Sequence, residues 1–117
     1  MATIIDGKKI SQQIIEELII ELQAFRETHK VIPGLAVVLV GEDPSSEVYV
    51  RNKIKRATEV GIHSTEHILS VATSQVDLIE TIQGLNNDPA VHGILVQLPL
   101  PKHIDEKAVI EAIHPDK

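Results

Sequence analysis

Residues 35–40 read Leu-Ala-Val-Val-Leu-Val, an unbroken apolar run closed by glycine at each end, Gly34 and Gly41. Successive side chains of a strand point to opposite faces, so a strand is apolar throughout only when both faces are covered. The run is short and rich in β-branched residues, which favours a buried strand over a buried helix. A chain holding it needs a sheet with a layer on each side. Gly93-Ile94-Leu95-Val96-Gln97-Leu98 repeats the demand, with Gln97 as its one polar side chain. Strands of this kind separated by helical patterns predict a three-layer α/β/α domain with a mainly parallel sheet. The two runs are expected to be adjacent or nearly so.

The remaining segments fit that plan. Apolar residues fall at Ile10, Ile14, Leu18, Leu22 and Phe25, with Ile15 and Ile19 widening the stripe, which is helical spacing to about residue 28. Residues 3–9 read as a short extended start with a turn at Asp6-Gly7. A loop over residues 41–46 ends in helix-start chemistry, and a helix over residues 46–60 follows, closed by Gly61. Gly34, Gly41 and Gly61 read as turn glycines. Residues 63–70 form a more polar strand, expected nearer an edge. Ser74 and Asp77 resemble a capping box opening a helix through Val76, Ile79 and Ile82. Pro99-Leu100-Pro101 breaks the third strand, and residues 104–113 form the last helix. At 117 residues this is one domain.

Composition excludes several functions. A net charge of -6, from 17 acidic and 11 basic residues, argues against a nucleic-acid partner. Without cysteine there is no disulfide, no thiolate nucleophile and no zinc-thiolate site. His63 and His67 lie four apart in a strand with no third ligand, so no metal is expected. No stretch reaches the ~18 apolar residues of a membrane span. Lys8-Lys9 precede an amphipathic segment rather than a signal-peptide apolar run. The expectation is a cytoplasmic protein without a membrane partner. There is no G-x-G-x-x-G and no Walker pattern.

In α/β folds ligands sit beyond the carboxyl ends of the strands, where the loops over residues 41–46 and 98–103 lie. On the helix over residues 46–60, at about 100° per residue, Arg51, Asn52, Lys55 and Glu59 share a wet side. Val50, Ile54 and Ala57 share the core side. Lys53 falls between Val60 and Ala57, on the apolar edge, with Tyr49 one turn earlier. Such a lysine either snorkels to water or faces a ligand cleft, where partial desolvation would lower its pKa and suit it to acid–base work. Tyr49 alone reads as a core aromatic with a wet hydroxyl. Gln97 is a buried amide that needs partners. It either braces a loop or reaches a ligand, or the lysine, across the cleft.

Val40-Gly41-Glu42-Asp43-Pro44-Ser45-Ser46-Glu47-Val48-Tyr49-Val50-Arg51-Asn52-Lys53, followed by Gly61-Ile62, resembles the first signature of the methylenetetrahydrofolate dehydrogenase/cyclohydrolases. Gly93-Ile94-Leu95-Val96-Gln97-Leu98-Pro99-Leu100-Pro101 resembles the second. Ile5-Asp6-Gly7-Lys8 and Ile113-His114-Pro115-Asp116-Lys117 match as well, so the likeness covers the whole chain. The resemblance implies that Lys53 is the catalytic lysine, Tyr49 the tyrosine beside the pterin, and Gln97 the partner of the lysine. Tyr49, Val50, Arg51, Asn52 and Lys53, with Val96, Gln97 and Leu98, match folate-contacting segments. It further implies oxidation of methylenetetrahydrofolate with NADP or NAD as cofactor, then hydrolysis of the methenyl form to formyltetrahydrofolate. The family pattern continues after Lys117 with Asp-Val-Asp-Gly, which binds the pterin, and with a nucleotide-binding domain. Residues 1–117 therefore read as the amino-terminal catalytic, folate-binding domain. They are expected to be monomeric and without dehydrogenase activity alone, within a homodimeric parent. Two rivals stay open: a stand-alone α/β binding module, and the substrate domain of another two-domain dehydrogenase.

Overall fold

A computed structural model describes residues 1–117. Its elements run α1 (Gly7–His29), β1 (Gly34–Val40), α2 (Pro44–Val60), β2 (His63–Leu69), α3 (Gln75–Asn86), β3 (Gly93–Val96) and α4 (Glu106–Ala112). The sheet order is β2-β1-β3 and every pairing is parallel. Gly34 stands opposite His63, and Leu35 opposite Gly93. The two apolar runs are thus neighbours, and the more polar β2 takes an edge.

The central place of β1 accounts for its composition. Ala36, Val38 and Val40 pack with Leu78, Ile82 and Leu85 of α3 and Val109 of α4. Val37 and Leu39 turn the other way, onto Val50 of α2. Helices cover both faces, which completes the three-layer α/β/α arrangement.

α1 packs on α2 rather than on the sheet. A helix-on-helix seam uses a narrower stripe than a helix laid on a sheet. No α1 residue is buried, Ile15 and Leu22 are half-buried, and Ile10, Ile14, Leu18 and Phe25 stay exposed.

Side-chain caps correct several boundaries. Residues 7–9 are helical, not extended: the Asp6 carboxylate accepts from Lys9 N–H at 3.2 Å and starts α1 at Gly7. The loop after β1 is shorter than expected. Asp43 accepts from Ser45 and Ser46 N–H at 2.8 and 3.2 Å, and Pro44 is suited to the first turn. Ser74 accepts from Asp77 N–H at 3.1 Å, as its spacing with Asp77 suggested. Ile82 is buried and Ile79 half-buried, as the stripe suggested; Val76, however, is exposed, and Leu78 and Leu85 complete the buried face. Ser74→Ala should lower stability by about 1 kcal/mol. In urea this is a lower midpoint with an unchanged slope; an unmoved midpoint would show that the cap contributes nothing.

Gly41 and Gly61 have positive φ, 92° and 100°, as turn glycines should. Gly34 does not belong with them. It opens β1, and a Cβ there would lie 2.0 Å from the Ala90 carbonyl oxygen. Its glycine is required by close backbone approach.

Candidate active site

Strand alternation decides what β3 presents to each layer. Ile94 and Val96 belong to the α3/α4 layer, while Leu95 packs with Val37 and Val50 under α2. Gln97 lies one residue past β3 and keeps its place in the ladder, since its N–H donates to the Val38 carbonyl at 2.9 Å. The next side chain in the Leu95 series is therefore the Gln97 amide, turned toward α2.

α2 meets it with Lys53. Lys53 lies angularly between Val60 and Ala57, both buried, yet is itself exposed. A residue on the covered side of a helix stays exposed only where the cover is interrupted. Lys53 therefore stands at an opening between α2 and the residues that follow β3, bonded to Gln97 and open to water.

Across the cleft Lys53 Nζ donates to Gln97 Oε1 at 2.7 Å. Gln97 is 8% exposed, and its Nε2 donates to the Leu98 carbonyl at 3.1 Å. An ammonium can only donate and a carbonyl can only accept. The two neighbours together force the amide oxygen toward Lys53 and the nitrogen toward Leu98. The buried amide is thereby satisfied at both ends.

The other sequence candidates divide. Tyr49, 58% exposed, stands one helical turn before Lys53, and Leu98, next to Gln97, is exposed as well. Asn52 is exposed on the flank of α2. Val50 is fully buried beneath α2, and Val96 is buried in the opposite layer. Arg51 is exposed two residues before Lys53, on a different side of the helix. The periods of helix and strand turn alternate members of a continuous segment away from the cleft. These three side chains are not brought to the Lys53–Gln97 pair.

One participant escaped the sequence reading. Glu106, at the start of α4, accepts through Oε1 from the Leu100 N–H at 3.2 Å. The available signal was an acidic residue at a helix start, following a loop whose prolines leave few N–H donors. The largest hollow, about 520 Å³, lies elsewhere, lined by Gln23, Arg26, Glu27, Lys30, Val31 and Ile32 near the end of α1. It is an open groove among long charged side chains, with no counterpart to the buried amide and its fixed donor.

Residues 5–117 match the family model described as tetrahydrofolate dehydrogenase/cyclohydrolase, catalytic domain. A bifunctional protein FolD from Magnetococcus marinus is 57% identical over 117 residues, which is 100% of this chain and 41% of that protein. Another, from Zymomonas mobilis, is 53% identical over 99% of this chain and 39% of its own length. Among solved structures, the bifunctional FolD methylenetetrahydrofolate dehydrogenase/cyclohydrolase of Campylobacter jejuni superposes with a TM-score of 0.92 at 44% identity, over 96% of this chain and 39% of that one. The Trypanosoma brucei FolD, complexed with NADP cofactor and inhibitor, has a TM-score of 0.92 at 36% identity, over 97% and 39%. The chain spans about two-fifths of the length of these relatives.

Proposed function

This chain belongs to the tetrahydrofolate dehydrogenase/cyclohydrolase catalytic-domain family, and on that premise we propose that residues 1–117 form the folate-binding catalytic domain of a bifunctional enzyme of one-carbon metabolism. The enzyme oxidises methylenetetrahydrofolate to the methenyl form with NADP and hydrolyses that to formyltetrahydrofolate. The same reading carries a cytoplasmic, homodimeric enzyme. The observation that supports it most directly is the 2.7 Å bond from Lys53 Nζ to Gln97 Oε1, between two elements at the open end of the sheet.

Hydration of the methenyl carbon requires a proton to leave water, and ring opening requires one to reach a folate nitrogen. One amine can do both. A neutral amine keeps two N–H groups and a lone pair. With one N–H on Gln97 Oε1, Lys53 can aim the lone pair at a water over the substrate. After taking that proton it holds it for the leaving nitrogen. Gln97 thus orients the amine, and Tyr49 bounds the side of the cleft where the pterin would lie. Among the folate-contacting segments, side-chain contact falls to Tyr49, Asn52, Lys53, Gln97 and Leu98. Val50, Arg51 and Val96 are left to backbone contact or to holding the others in place.

These residues do not fit the dinucleotide. The junction of β1 and α2 is the only strand-glycine-helix turn of the sheet, and its first donors are taken: Ser45 and Ser46 N–H both bond to Asp43. A carboxylate at that helix start repels a pyrophosphate that would otherwise bind there. No step of hydride transfer is assigned to this chain's residues.

Titrating the protein that carries this chain with methenyltetrahydrofolate should shift NMR signals of Tyr49, Lys53 and Gln97 and leave Ile82 and Val109 unmoved. The folate absorbance should decay as the ring is hydrolysed. Shifts confined to another surface, or no shifts with substrate raised to about 1 mM, the upper end of ordinary KM values, would overturn the reading.

A further inference from the structure

Gln97 serves Lys53 only while its amide presents oxygen, and that depends on the Leu98 carbonyl holding the amide nitrogen at 3.1 Å. The carbonyl sits in Leu98-Pro99-Leu100-Pro101. Proline has no N–H, so across residues 99–101 Leu100 carries the one backbone donor. That donor is held by Glu106 Oε1 at 3.2 Å. A carboxylate is a stronger acceptor than a neutral group.

Glu106 is itself well anchored. It is half-buried in the first turn of α4, beside the capping residue Asp105. Asp105 accepts from Lys107 N–H at 3.0 Å, and its own N–H donates to Gln75 Oε1 at 2.8 Å. The Leu100 side chain is buried against the α3/α4 core. The peptide segment that ends in Leu100 is therefore gripped by side chain and backbone together.

We propose that Glu106 is a positioning residue for the Lys53–Gln97 pair. By holding the Leu100 N–H it fixes the short proline-flanked loop, hence the Leu98 carbonyl, and hence the face of the Gln97 amide that Lys53 meets. Its consequence for catalysis rests on the folate reading; the positioning itself does not. Without the Glu106 carboxylate the buried Leu100 side chain is the hold that remains, and the peptide backbone that carries the Leu98 carbonyl is free to rotate. The Gln97 amide can then turn its nitrogen to the ammonium, setting donor against donor.

The test uses the protein that carries this chain, with Glu106→Met, Glu106→Asp and Glu106→Gln, and Lys107→Met as an exposed neighbouring control. The first readout is the pair of Gln97 side-chain amide signals in a nitrogen-15 correlation spectrum. Glu106→Met should shift them and speed their exchange with solvent. Glu106→Asp withdraws the oxygen while keeping the charge, and should move them the same way even if the methionine variant does not fold. Glu106→Gln, which still offers an amide oxygen, should restore them. The second readout is methenyltetrahydrofolate hydrolysis: Glu106→Met should lower kcat by about 10- to 100-fold, with KM within about twofold. A purely structural role would lower thermal stability and leave the Gln97 signals of the folded variants as in the wild type, which would overturn the proposal. A wild-type protein without hydrolysis would defeat the folate reading, and the Gln97 signals would still decide the positioning.

Discussion

Lys53→Met is expected to slow methenyltetrahydrofolate hydrolysis by roughly two to four orders of magnitude in the protein that carries this chain, with the fold retained. Methionine keeps most of the aliphatic stem and removes the ammonium. Lys53 is exposed, and its hydrogen-bond partner is the neutral Gln97, so no buried charge is left unpaired. Gln97 Oε1 loses a donor, but the open cleft admits water in its place, which holds the stability cost to about 1 kcal/mol. Lys55→Met is the control, because Lys55 is exposed two residues on, away from the cleft. Both variants are assayed for loss of methenyl absorbance, with circular dichroism to confirm folding. Equal, near-wild-type rates would return Lys53 to the snorkelling class and remove its acid–base role.

Gly34→Ala should be strongly destabilising, since among the six glycines it is the one where an added Cβ meets backbone at less than 3.0 Å. The new Cβ would stand 2.0 Å from the Ala90 oxygen and 3.2 Å from its carbonyl carbon, both backbone atoms with no rotamer to escape into. The two segments are also clasped by hydrogen bonds. Gly34 N–H donates to His92 Nδ1 at 2.9 Å, and His92 N–H donates to the Gly34 carbonyl at 2.8 Å. Relief requires residues 90–92 to withdraw, which breaks both bonds and strains the register of β3 on β1. We expect a loss of about 3 kcal/mol or more by urea denaturation. Since β3 leads into Gln97, activity should fall with stability. A change below about 1 kcal/mol would mean that the approach is slack and the glycine dispensable.

The layered plan was legible because six apolar residues in a row have few physical solutions, and β1 at the centre of a parallel sheet is one of them. Gln97 stood out for the same reason, as a polar interruption of such a run. Helical phase set Lys53 apart on the apolar edge without deciding its role, and the resemblance named Gln97 as its partner, the residue whose Oε1 accepts from it. What stayed hidden depends on direction or on distant contact. A glycine needed for positive φ and one needed for close approach look alike in sequence, and Gly34 differs from Gly61 only through Ala90. A motif marks a segment, but Val50 and Val96 are turned from the cleft by the periods of the elements that carry them. The α1 stripe declared a helix without declaring what it packs on. Of the two readings left open for Lys53 on its apolar edge, the desolvated one is not supplied within these residues, where the side chain remains exposed.

The placement of β1 between β2 and β3 also sets the order in which the chemistry can come into being. Gly34 pairs with His63, 29 positions away, with α2 as the crossover. Leu35 pairs with Gly93, 58 positions away. The shorter closure costs less entropy and can assemble first, carrying Tyr49 and Lys53 with it. Gln97 arrives with the later strand. A half-formed sheet would thus carry the amine with nothing to aim it, and returning activity would report the docking of β3 rather than the collapse that precedes it.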